Sequence, residues 1–223
     1  SRTDVEDSIG LELGYRNRAG PTRSEFVWFH TDFDSVIGTE AGFGNEDSSS
    51  TNAGEVRVWG LEAFVTHDVL HDDPNASALL YFSGTWTSAE FREGVLSGGE
   101  DGIFNGGAPG NDLPYVPELQ LAAGFSYKTN GWSFSFDATY TDSAFASGDN
   151  GLLDPIVENN ARLGTVDSLF IIDFAFDYAV NEDLSIVAGV GNVFDERGIV
   201  SRVPRGPRNN NGRTAFVGFE FTR

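Results

Sequence analysis

The chain has 223 residues with 14 Lys and Arg against 34 Asp and Glu, a formal charge of -20, so nucleic acid, whose phosphates require clustered cations, is not an expected partner. It contains no cysteine, which removes disulfides, thiol nucleophiles and thiolate metal sites. With 27 Gly, 19 Phe and 13 % aromatic residues at a mean hydropathy of -0.24, it reads as ring-rich strands joined by turns, an all-β fold.

Alternation predicts nine strands, at about 7 to 16, 23 to 37, 54 to 69, 76 to 92, 115 to 128, 131 to 145, 165 to 180, 183 to 195 and 212 to 222. In the second, Trp28, His30, Asp32 and Asp34 share a register that reads as polar. Their steps of about 6.6 Å make a polar lumen stripe, not a metal site, the expectation. Glu62 falls on the polar register of the third strand and Trp86 on the apolar register of the fourth. The fifth sets Leu119, Leu121, Ala123, Phe125 and Tyr127 against Glu118, Gln120, Ser126 and Lys128. In "GWSFSFDATYTDSAF", Trp132, Phe134, Phe136, Ala138 and Tyr140 oppose Ser133, Ser135, Asp137, Thr139 and Thr141. The seventh places Asp173 and Asp177 on the polar side of "LFIIDFAFDY".

The connections separate the possible solvents for the apolar faces. Short ones (17 to 22, 70 to 75, 129 to 130, 181 to 182) alternate strictly with long ones (38 to 53, 93 to 114, 146 to 164, 196 to 211). An up-and-down meander then puts every long loop at one end, as in an outer-membrane barrel, whereas a sandwich makes Greek keys from shorter strands. Strands of ten or more residues suffice for a tilted span, and no apolar run is long enough for a transmembrane helix. The girdles are expected from Trp86, Trp132, Tyr127 and Tyr178, with the apolar faces toward lipid. Bacterial single-chain barrels have even strand numbers, so nine strands lead to the expectation that this is the C-terminal portion of a larger barrel, beginning in an extracellular loop. "SRTDVEDSIG" has neither the basic nor the apolar region of a signal peptide.

Six pieces in order, "DSIGLELGYRN", "EFVWFHTDFDSVI", "NAGEVRVWGLEAFV", "YVPELQLAAGFSYK", "LSIVAGVGNVFDERGIVSRVPRGPR" and "GRTAFVGFEF", resemble the C-terminal half of a TonB-dependent outer-membrane receptor. The resemblance implies that residues 1–223 are about the last nine strands of a 22-stranded antiparallel transmembrane β-barrel. Its plug and earlier strands would lie outside this sequence, as a companion polypeptide. It also implies uptake of a scarce ligand, most often a ferric chelate such as a siderophore or ferric citrate, powered by the TonB complex through the plug. Outer-membrane lipid and lipopolysaccharide would be neighbours, long loops extracellular and short turns periplasmic. No resident cofactor is expected. "GIVSRVPRGPR" is similar to the last extracellular loop of ferric dicitrate receptors. A self-contained small barrel and a soluble β-sandwich are the rival readings.

Arg197, Arg202, Arg205, Arg208 and Arg213 crowd one loop and its edge. Guanidinium groups pair bidentately with carboxylates, so Arg202, Arg205 and Arg208 are the candidate ligand contacts. Glu62, Asp137, Asp173 and Asp177 are expected to line the lumen. "GNEDSSS" and "GGEDG" lack the ordered oxygen spacing of an EF-hand and read as solvated surface. No G-x-S-x-G elbow or phosphate-cradling glycine motif is present, so no catalysis is expected.

Overall fold

The computed structural model describes residues 5–39, 50–52, 54–94, 103–104, 106–151, 164–203 and 206–221. Nine long strands form one antiparallel sheet: β1 (Asp7–Ala19), β2 (Thr22–Asp34), β3 (Val56–Asp68), β4 (Ala76–Phe91), β5 (Leu119–Thr129), β6 (Trp132–Thr141), β7 (Leu169–Asn181), β8 (Leu184–Gly191) and β9 (Thr214–Phe221). Sheet order equals chain order, so the meander read from the connections is the topology. Tight turns join β1 to β2, β3 to β4, β5 to β6 and β7 to β8 at one end, and the long connections leave from the other. Three short ribbons decorate those connections: Ile37–Thr39 with Ser50–Asn52, Ala144–Phe145 with Thr165–Val166, and Ile199–Ser201 with Arg208–Asn209.

Register gives the sheet two unlike faces. One row runs Phe26, Ala63, Gly84, Leu121, Tyr140 and Phe170; another runs Leu80, Phe125, Phe136 and Phe174. The intervening rows are polar, as in Glu62 opposite Thr85 opposite Gln120 opposite Thr141. Rings on the apolar face touch across strands, Phe136 to Phe174 at 4.9 Å and Tyr127 to Trp132 at 5.0 Å. Among the described residues no second layer packs on this face, and each sheet strand contacts only its sheet neighbours. Phe136 is 47 % exposed and Phe170 50 %. A continuous half-bare aromatic surface of nine strands needs an apolar solvent, since soluble monomers keep such patches small.

That face carries two belts of amphipathic rings. Trp28, Trp59 and Trp86 stand toward the long-loop end, with Trp59 edge-on to Trp86 at 4.8 Å; Tyr127, Trp132 and Tyr178 stand toward the tight turns. The stretch of β4 from Ala78, which faces Tyr127, to Trp86 spans roughly 27 Å at about 3.4 Å per residue. Tilted by about 40°, that gives a height of roughly 21 Å, which fits within the ~25 Å apolar band of an outer-membrane strand.

One sequence expectation is corrected here. Trp28, His30, Asp32 and Asp34 belong to the apolar face, not to a lumen stripe: Trp28 faces Leu61, His30 faces Trp59, and Asp32 faces Arg57. The polarity of both faces inverts at this end. Beyond the tryptophan belt the outward row becomes charged, with Asp32 bonded to Arg57 at 2.8 Å and to His30 at 3.0 Å, and Glu90 opposite Arg57. On the other face Val56 and Phe91 are the largest fully buried side chains among the described residues, where loop residues run alongside β4. Phe29 and Phe33, which made their register look like the lipid side, face Gly60 and Val56 there.

Candidate functional site

Loop residues close over the polar face at the long-loop end. Residues 110–113 turn back along β4, with hydrogen bonds between Gly110 N–H and Phe91 carbonyl, Phe91 N–H and Asn111 carbonyl, and Leu113 N–H and Ala89 carbonyl, all at 2.9 Å. Phe104 then stands edge-on to the Phe91 ring at 6.0 Å. The result is an apolar plug of Val56, Ala89 and Phe91 beneath the loops.

Three long connections are braced to one another at this end. Asn111 Nδ2 donates to the Gly148 carbonyl at 2.9 Å, Asp112 N–H to Asn150 Oδ1 at 2.7 Å, and Asn150 Nδ2 back to the Asp112 carbonyl at 3.0 Å. Tyr115 sits at φ 62°, in the left-handed region that a bulky residue adopts only when its surroundings hold it there. Its N–H donates to the Phe145 carbonyl at 2.8 Å, and its hydroxyl accepts the Arg202 N–H at 3.1 Å. Arg202 Nε donates to the Thr165 carbonyl at 2.6 Å, and Asp167 and Ile199 exchange two hydrogen bonds at 2.7 and 2.8 Å. Together these bonds make a single plate from the connections after β4, β6 and β8.

The chain enters the last connection through "GNVFDE". Asn192, at φ 53° and 5 % exposed, donates its N–H to Asp173 Oδ1 at 2.7 Å. Its side chain accepts the Glu196 N–H at 2.8 Å and donates to the carbonyls of Glu196 and Asn211 at 2.8 and 3.1 Å. Asp195 accepts the Arg213 N–H at 2.7 Å and the Arg197 guanidinium at 3.0 Å, and these donors hold its carboxyl below the usual range. Burial and then the nearby Glu90 push the Asp112 carboxyl up.

The arginines named from sequence therefore part company. Arg202 is 8 % exposed and locked into the plate; Arg208 is exposed on the ribbon strand Arg208–Asn209; Arg205 lies outside the described residues. "GNEDSSS" and "GGEDG" lie largely outside them too. All four predicted lumen carboxylates sit on the polar face. Asp137 accepts the Tyr81 hydroxyl at 2.7 Å across β5, and Asp173 accepts Asn192. Glu62 and Asp177 have no side-chain hydrogen bond or ion pair among the described residues. The parts that sequence reasoning missed are Tyr115 and Asn192, neither of which has a local signal beyond a turn-like neighbourhood.

Directly paired rings cover three glycines of the polar wall: Phe29 over Gly60, Tyr81 over Gly124 and Phe216 over Gly189. Tyr81 crosses Gly124 to reach Asp137, which explains why that position has no side chain.

A family model for TonB-dependent receptor-like β-barrels matches residues 4–193. Among solved structures, the chain is similar to the ferric citrate transporter FecA in its unliganded form, at 22 % identity and TM-score 0.70 over 96 % of this chain and 31 % of that one. It is similar to the ferric yersiniabactin uptake receptor FyuA from Yersinia pestis, at 19 % identity and TM-score 0.72 over 97 % and 30 %. The copper transporter OprC aligns at 15 % identity and TM-score 0.68 over 99 % and 32 %. The chain thus spans about a third of the length of these structures, and at such identities the likeness is one of fold. No curated protein sequence matches it.

Proposed function

Because this chain belongs to the TonB-dependent receptor β-barrel family, we propose that it is part of the wall and ligand vestibule of an outer-membrane receptor that takes up a ferric chelate, either a siderophore or ferric citrate. The observation that carries this is the two-ended build of the sheet: tight turns at one end, and at the other a braced loop plate over the polar face, beyond a tryptophan belt. A wall that only had to span a membrane would not need loops tied together above its lumen side.

In this reading the long loops are extracellular and the turns periplasmic. The remaining strands complete a 22-stranded barrel around a plug, and the TonB complex acts through that plug. Lipid and lipopolysaccharide meet the apolar face. An isolated nine-strand sheet leaves the outer edges of β1 and β9 unpaired, and each unsatisfied backbone group in lipid costs several kcal/mol. Members of the family are transporters and receptors, and the reading assigns this chain no catalysis. Arg208 is the ligand contact, pairing its guanidinium with chelate carboxylates; Arg202 acts through the loop geometry it fixes.

The test is equilibrium binding of ferric dicitrate, then of ferric catecholate and hydroxamate chelates, to the intact receptor in detergent. Saturable binding of one of them, weakened roughly tenfold by Arg208→Ala, about 1.4 kcal/mol, is expected. Failure of all three chelates to bind would contradict the reading.

A further inference from the structure

Arg18 of β1 and Arg23 of β2 stand directly opposite each other on the polar face, one residue in from the tight turn. Both are exposed. Side chains so paired start from Cβ atoms about 5 Å apart, and like charges in this position repel. The adjacent polar-face row shows what the same two strands do when charge is balanced: Arg16 faces Glu25 and binds it at 2.6 Å. On its other side Arg23 faces Thr66, which supplies no charge. Among the described residues no carboxylate pairs with either Arg18 or Arg23.

The wall is also charge-sorted along the sheet. The polar face of β1 and β2 near the turns holds Arg16, Arg18 and Arg23 against the single acid Glu25, whereas β6 and β7 place Asp137, Asp173 and Asp177 on the same face. A body seated against this wall is favoured if it presents acid toward β1 and β2, because desolvating two adjacent guanidinium groups without an anion is costly. We propose that Arg18 and Arg23 form an anion-accepting site for one carboxylate of the polypeptide that fills the lumen. Two guanidinium groups starting about 5 Å apart are close enough to donate together to one carboxylate, whose two oxygens offer about four acceptor sites. The proposal rests on the receptor reading, which supplies the lumen-filling polypeptide.

The experiment uses the intact receptor purified from outer membranes, with Arg18→Lys, Arg23→Lys or Arg16→Lys introduced singly. A carbodiimide joins an amine directly to a carboxylate in contact with it, and peptide mass spectrometry reads the joined pairs. Arg16→Lys is the internal standard and must link to Glu25. For Arg18→Lys and Arg23→Lys the expected product joins position 18 or 23 to one Asp or Glu of the polypeptide that fills the lumen. Two outcomes overturn the proposal: links confined to the barrel wall, whether to Glu12, Glu25 or a carboxylate on the strand that pairs with the outer edge of β1, or no link while the standard forms. A phospholipid adduct in place of a peptide link overturns it as well, since the guanidinium groups then serve a headgroup. Failure of the receptor reading is seen separately, as a purified receptor whose intact mass leaves no polypeptide to fill the lumen.

Discussion

Asn192 ends β8 by turning the backbone to φ 53° and satisfies four hydrogen bonds while almost fully buried. Asn192→Ala removes the three side-chain bonds, leaves the Glu196 N–H without its acceptor and places a Cβ residue without a side-chain partner in the left-handed region, which should cost about 2–4 kcal/mol. Asn192→Gly relieves the backbone but not the lost bonds and should fall between the two; denaturant midpoints of the folded receptor check the order. Tyr81 and Asp137 invite a double-mutant cycle. Tyr81→Phe should cost about 1.5–3 kcal/mol, since the lost bond is to a carboxylate, and most of that cost should vanish in the Asp137→Ala background. Asp195 gives a pH dependence. The Arg213 N–H and the Arg197 guanidinium hold its folded carboxyl low, so its stabilisation is complete above the unfolded value of about 3.9 and is lost as pH falls through the folded value. Hydrogen exchange at residues 206–213, corrected for intrinsic rate, should therefore quicken in acid in the native receptor, and Asp195→Asn should abolish that change.

At the level of elements, the glycines of the polar wall mark where rings lie flat against the neighbouring strand. A Cβ at Gly60 would collide with the Trp86 carbonyl and lie 2.7 Å from the Phe29 ring, so Gly60→Ala should cost about 1–3 kcal/mol in thermal or urea unfolding. Gly20, in the β1–β2 turn with nothing near its Cβ position, is the control whose only penalty is its positive φ of 57°. Strand existence and order were legible because alternation is a local property: Phe134, Phe136 and Ala138 read their face from two residues either side. The face of β2 was not. Of its two registers, Val27, Phe29, Thr31, Phe33 is the more apolar, yet it is Phe26, Trp28, His30, Asp32 that shares a face with Leu61 and Trp59, on a strand about thirty residues away. The strand leaves the bilayer partway along, so one residue pattern serves two solvents. The loop plate was illegible for a related reason. Arg202 looked like a ligand contact because five arginines cluster in sequence, while Tyr115 and Thr165, which engage it, are far off along the chain.

The molecule as a whole joins three layers. An aromatic face between two belts meets the membrane, a charge-sorted polar face meets whatever fills the lumen, and a braced plate caps the long-loop end. The bracing has a kinetic meaning: connections tied by reciprocal bonds such as Asp112 with Asn150 and Asp167 with Ile199 exchange as one cooperative unit, whereas independent loops would each open alone. The two-faced wall is the claim on which the rest stands, and this chain, which contains no cysteine, can be probed with single spin labels. Ala138→Cys and Thr139→Cys, adjacent on β6 and midway between the belts, would be labelled in the intact receptor in lipid bilayers, and collision with oxygen and with a water-soluble nickel chelate measured for each. The account predicts that the label at 138 meets oxygen freely and the nickel chelate hardly at all, and that the label at 139 is shielded from lipid-dissolved oxygen. Equal accessibilities at the two positions, or their inversion, would contradict it.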